Sequence, residues 1–135
     1  MEKNIVKDNF EFAPAGSYSP LVLAYMGDAV YELYIRSMLV SKANTQVNKL
    51  HKEATKYVKA KAQSELVEKI MDKLTEEELA IYKRGRNAHS YTSAKNADIV
   101  DYRRATGFEA LIGYLYIKGD KERIFELLND TVKEQ

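Results

Sequence analysis

The chain has 135 residues, 45% of them hydrophobic and 30% charged, with a formal net charge of +1. That is an ordinary globular composition, long enough for one domain with a core and too short for two comfortable ones. The absence of cysteine excludes disulfides and thiolate metal sites and makes a reduced, cytoplasmic home the expectation. His51 and His89 stand too far apart for a local zinc motif. The opening "MEKNIVKDNFEF" has no continuous apolar stretch, so no signal peptide is expected.

Taken in chain order, residues 1–17 read as an N-terminal segment and 18–135 as a single all-α domain. Ser19 followed by Pro20 is an N-cap with proline at the first helical position. The helix it starts is apolar on nearly every side from Leu21 to Val40. That run raises the membrane question. Asp28, Glu32 and Arg36 would each cost roughly 2.5–3.5 kcal/mol near the middle of a bilayer, so a buried helix in a soluble protein with no membrane partner is expected. A second helix is expected over 44–62, with Val47, Leu50, Ala54, Val58 and Ala62 on one face. A third is expected over 64–73. Thr75 and Glu78 form a capping box for a fourth, over 76–84. "GRNAHSYTSAKNA" breaks the periodicity and reads as a loop over 85–97. Helices over 105–118 and 121–133 follow, separated by Gly119 as a stop and Asp120 as an N-cap.

Charge is balanced overall but segregated along the chain. Between 42 and 61 lie Lys42, Lys49, Lys52, Lys56, Lys59 and Lys61 against Glu53, and the next twenty residues swing acidic. Lys49, Lys52, Lys56 and Lys59 recur at helical spacing and share one face. Such a stripe is the footprint of a polyanion site, although a solvated helix face has the same appearance. The "KRGRNAHS" stretch is the sharper signal. Lys83, Arg84, Arg86 and Asn87, with Lys95 and Asn96 further along, offer guanidinium forks, amides and free backbone N–H groups suited to phosphate oxygens. The expectation of a polyanion-binding face therefore rests on these six together with Lys52 and Lys56.

Two residues look misplaced. "LAYMGDAVYELYIR" carries Asp28 inside an apolar helix, beside a glycine, Gly27, that costs a helix about 1 kcal/mol relative to alanine. "ATGFEALIGYLYIKG" repeats the anomaly with Glu109. A carboxylate brought to a core is costly unless paired. Three arrangements would account for these acids: a salt bridge, with Glu32 and Arg36 on the face of Asp28; a proton shared between them; or a divalent cation such as Mg²⁺, with Mn²⁺ as an alternative ion.

"LAYMGDAVYE" resembles the signature helix of the ribonuclease III family, and "TGFEALIGYLY" resembles that family's second motif. The order is the family's, and 81 residues separate Asp28 from Glu109. With no double-stranded-RNA-binding domain following, the chain is similar to the short branch called Mini-ribonuclease III, over residues 18–130. The resemblance implies a helical, dimeric endonuclease domain, with Asp28 and Glu109 as catalytic, metal-binding carboxylates. It implies hydrolysis of double-stranded RNA to 5′-phosphate and 3′-hydroxyl ends. In the short branch the target is the large-subunit (23S) ribosomal RNA precursor, with a ribosomal protein as a helper. Tyr25, Tyr31 and Tyr34 are candidates for the homodimer seam, and equally for plain core. The chain departs from the family at Leu21, Ala24 and Thr106, where further carboxylates are expected; Glu32, Asp98 and Asp101 are candidate substitutes. A catalytically silent RNA-binding or ribosome-assembly module with the same fold is the competing reading.

Overall fold

The computed structural model describes residues 9–88 and 98–133. Six helices account for most of them: α1 (Pro20–Lys42), α2 (Val47–Val58), α3 (Ala60–Ile70), α4 (Glu76–Asn87), α5 (Ile99–Lys118) and α6 (Lys121–Lys133). No strand occurs among the described residues, so the all-α expectation holds. Short 3₁₀ turns at Ala15–Ser17 and Met71–Lys73 precede α1 and follow α3.

The caps explain where the helices begin and end. The Ser19 hydroxyl accepts from Val22 N at 3.3 Å, ahead of Pro20. The Thr75–Glu78 box is closed in both directions, at 2.9 and 3.1 Å. Gly119 ends α5 in the left-handed region with φ of 92°, where its N–H and that of Asp120 return to the Leu115 carbonyl. The Asp120 carboxylate then accepts from Arg123 N to open α6.

Three boundaries differ from the sequence reading. The expected helix over 44–62 breaks at Lys59, whose extended backbone separates α2 from α3 and assigns Ala62 to the latter. α4 continues through Gly85 to Asn87, so the start of the supposed loop is helical. α5 begins six residues earlier than expected, capped by Asp98, whose carboxylate accepts from Val100 N at 2.8 Å.

α5 is the central helix. Phe108, Ala110, Leu111, Ile112 and Leu115 on it are fully or almost fully buried. α1 crosses one side, contributing Leu23, Tyr31 and Ile35, with Tyr31 packed edge-on to Phe108 at 5.0 Å between ring centroids. α3 contributes Leu66, Val67 and Ile70, α4 Ile81 and Tyr82, and α6 Leu127 and Leu128. No helix among the described residues is long and apolar enough to cross a membrane.

Candidate active site

The site starts from a close crossing of two helices. A Cβ added to Gly27 would overlap the Glu109 carbonyl oxygen and lie 2.8 Å from Gly113 N; one added to Gly113 would overlap the Leu23 carbonyl oxygen. The backbones of α1 and α5 therefore touch, and only glycine at both positions permits it. Asp28 follows Gly27 directly, while Glu109 lies one turn before Gly113. The crossing thus brings the two acids together. A parallel notch seats α4 on α5, where a Cβ on Gly85 would come 2.7 Å from Ala110 Cβ.

Asp28 stands at the open edge of this crossing and Glu109 is partly buried. Burial pushes the Glu109 carboxyl up to about 8, helped by the nearby Asp28 charge and a hydrogen bond with Asp28, and opposed by a hydrogen bond from Gln63. At neutral pH the acid pair accordingly keeps a proton that a cation could displace. No described Lys or Arg forms an ion pair with either acid; Arg36 instead pairs with Glu32 at 2.8 Å, on the exposed side of α1.

No described group of three or more His, Cys, Asp or Glu side chains could hold a metal. Glu32, Asp98 and Asp101 therefore do not replace the family carboxylates missing at Ala24 and Thr106. Ala24 is buried, and the Thr106 hydroxyl donates to the Tyr102 carbonyl at 3.0 Å. Two carboxylates still suit Mg²⁺, which keeps several waters and binds through one or two protein acids plus substrate phosphates. The oxygen-only donor set does not suit zinc. A buried amide oxygen without a partner, Gln63 Oε1, lies on the side chain whose Nε2 contacts Glu109, an unsatisfied polar atom of the kind that a purely structural core avoids.

Around this pair the expected RNA-binding residues divide. Lys52, Lys83 and Asn87 are exposed. Lys56 is exposed and paired with Glu53 at 2.9 Å. The Arg84 guanidinium donates to the Gly16 and Tyr18 carbonyls, so it ties the N-terminal turn to α4. Arg86 lies over the Tyr82 ring at 5.8 Å and donates to Asn87. Gly85 is a packing notch inside a helix rather than part of a phosphate-cradling turn. Lys95 and Asn96 lie outside the described residues.

The three tyrosines divide as well. Tyr25 is 79% exposed. Tyr31 is core: it is 1% exposed and its hydroxyl donates to the Tyr57 carbonyl at 3.0 Å, which removes it from any seam. Tyr34 is half-buried, with its hydroxyl on Asn129 at 2.6 Å. Gln63 is the site residue that the sequence reading missed. Its spacing from Leu66, Val67 and Ile70 puts an amide on the buried face of α3, and that was the available signal.

The ribonuclease III domain model matches residues 21–120. Among curated relatives, "Mini-ribonuclease 3" of Thermoanaerobacter sp. (strain X514) is 56% identical over 87% of this chain and 82% of its own length. "Mini-ribonuclease 3" of Clostridium tetani is 51% identical over 95% and 85%. A crystal structure of a Fusobacterium nucleatum protein superposes with a TM-score of 0.79 and 34% identity, over 87% of this chain and 94% of that one. With two acids joined at a glycine crossing inside such a match, the chain belongs to the ribonuclease III family, in its Mini-ribonuclease III branch.

Proposed function

We propose that this ribonuclease is a Mg²⁺-dependent endonuclease of double-stranded RNA, acting as a homodimer on the large-subunit ribosomal RNA precursor. One observation carries the reading: the glycine crossing of α1 and α5 brings two carboxyl groups from different helices into contact at the rim of the core, and no described Lys or Arg forms an ion pair with either. Asp28 and Glu109 would hold the ion, and Mn²⁺ would serve in its place. An ion held by Asp28 and Glu109 would supply the acidity needed by an attacking water and the positive charge needed opposite the leaving 3′-oxygen, a chemistry that leaves 5′-phosphate and 3′-hydroxyl ends.

The chain's own residues supply the rest. Glu109, part-buried, fixes the inner side of the site, while Asp28 faces the open edge where a phosphate can arrive. Lys52 and Lys56 on α2 and Lys83 near the end of α4 offer cations to the RNA backbone, whose A-form duplex is read by shape and 2′-hydroxyl contacts. Cutting two strands requires two sites, and a twofold axis provides them. Val22, Tyr25 and Leu33 form an exposed apolar stripe along α1 that suits the second copy. This substrate implies a cytoplasmic location. A ribosomal protein that holds the precursor in shape would serve as helper, since two lysine-bearing helices are a small platform for recognising a long RNA.

The test is to incubate the protein and Asp28→Asn with duplex RNA carrying large-subunit precursor ends, in Mg²⁺ or chelator, and to resolve the products on a denaturing gel. Discrete, Mg²⁺-dependent cuts absent from the variant are expected. Retention of RNA without cutting by either protein would turn the reading to a silent RNA-binding module.

A further inference from the structure

Gln63 sits in α3 at 2% exposure, on the face that carries Leu66, Val67 and Ile70 into the core. Its Nε2 donates to the Val58 carbonyl at 2.7 Å and to Glu109 Oε2 at 3.4 Å. A backbone carbonyl can only accept, so Val58 fixes which end of the amide is nitrogen. The oxygen end is consequently locked in a buried position with no partner. An unpaired buried acceptor destabilises a fold, and an aliphatic side chain here would avoid that penalty. What the amide supplies in return is a donor to Glu109, and among the described residues no other side chain outside the acid pair donates to it.

We propose that Gln63 is a positioning residue of the cation site: anchored on the last carbonyl of α2, it holds the Glu109 carboxylate in the orientation that faces Asp28. The inference rests on reading Asp28 and Glu109 as that site. A hydrogen bond to an ionised, cation-bound carboxylate is shorter than one to a neutral carboxyl, about 2.7–2.9 Å. The 3.4 Å contact thus has room to tighten on loading. Outer residues of this kind typically contribute 10–100-fold to metal affinity. The same arrangement ties α2, with its lysine stripe, to the acid pair, so the joint at Lys59 places the basic face relative to the metal.

The experiment compares the full chain with Gln63→Met, which keeps an unbranched side chain of similar volume and removes both donors. Mn²⁺ is titrated and free ion is read by electron paramagnetic resonance. The variant is expected to bind about 10–100-fold more weakly. Its Mg²⁺ requirement for duplex cleavage should rise by a similar factor, while the rate at saturating Mg²⁺ returns toward that of the parent. In the unmodified protein, the Gln63 side-chain amide resonance should shift in step with a Mg²⁺ titration. A variant with parental Mn²⁺ affinity and a lowered melting temperature in chelator would reduce Gln63 to a strut between α2 and α3. An amide resonance indifferent to Mg²⁺ would overturn the proposal equally, without any variant having to fold. If the unmodified chain binds no Mn²⁺, the reading of Asp28 and Glu109 itself fails, and Gln63 loses its role with it.

Discussion

Gly27→Ala separates two opposing effects. Helix propensity alone favours alanine by about 1 kcal/mol. Against that, the new Cβ would overlap the Glu109 carbonyl oxygen and come within 2.6 Å of its carbon and 2.8 Å of Gly113 N. Carbon–oxygen contacts normally settle at about 3.3–3.6 Å, so α1 and α5 must part by on the order of 1 Å. A gap of about 0.5–1 Å already forfeits a quarter to a half of each dispersion contact, and this crossing carries Leu23, Tyr31, Ile35, Phe108 and Ile112. The clash is with main chain, which cannot rotate away, so the upper end of the overpacking range applies, about 3 kcal/mol or more. After the propensity gain, roughly 2 kcal/mol or more of destabilisation remains. For a chain of this size that lowers the melting temperature by about 6–8 °C or more. Thermal unfolding followed by circular dichroism reads the shift. Mn²⁺ affinity should fall too, because the substitution pushes Asp28 away from Glu109. A variant that melts higher than the parent would show that the helices do not touch at Gly27 and would refute the crossing as the origin of the site.

Glu109 makes metal-free stability fall with rising pH. Its carboxyl titrates near 8 in the fold against an ordinary value of 4.5, so the native state holds the extra proton between those values and the advantage vanishes as pH climbs through 8. At about 1.36 kcal/mol per pH unit the full effect approaches about 5 kcal/mol. Relative to Glu109→Gln, the parent in chelator should therefore lose melting temperature from pH 6 to 9, and parallel curves would contradict this. Arg123→Met strands the buried Glu78, which is gripped by Nε and Nη2 at 2.8 Å each. A loss of about 3–5 kcal/mol in urea unfolding is expected, and one below about 1 kcal/mol would mean that water replaces the partner. If the proposed dimer uses the exposed stripe of α1, Tyr25→Glu places a charge in its seam, and sedimentation should read a dimeric parent and a monomeric variant, without a lowered melting temperature for the monomer. Unchanged mass would put the seam on another face.

What was legible in the sequence was local chemistry. Ser19 with Pro20, Thr75 with Glu78 and Gly119 with Asp120 each cap a helix through neighbours a few residues away, and each does so in the structure. Asp28 and Glu109 were legible as acids in apolar surroundings. The boundaries that moved depend on contacts distant in sequence. Gly85 opened the expected loop, yet it lies inside α4, where the missing side chain admits α5. The start of α5 was hidden because Ile99 and Val100 are exposed there, so the apolar period does not begin until later. No proline or glycine marks the break at Lys59. Tyr31 and Tyr25 are indistinguishable by composition, and only the packing of α1 on Phe108 sends one inward and the other out. Likewise Gly27 stood out only as a costly residue in a helix, and the close approach to Gly113 is visible only in the packing of α1 on α5.

The central claim, that the crossing of α1 and α5 makes a divalent-cation site from Asp28 and Glu109, is tested most directly by calorimetric titration of Mn²⁺ at pH 7.5 into the parent and Glu109→Gln. Saturable binding by the parent, with proton release, and its loss in a variant that remains folded are the predicted results. Equal Mn²⁺ affinity in both proteins would contradict the claim and leave the acid pair as a proton-sharing contact alone.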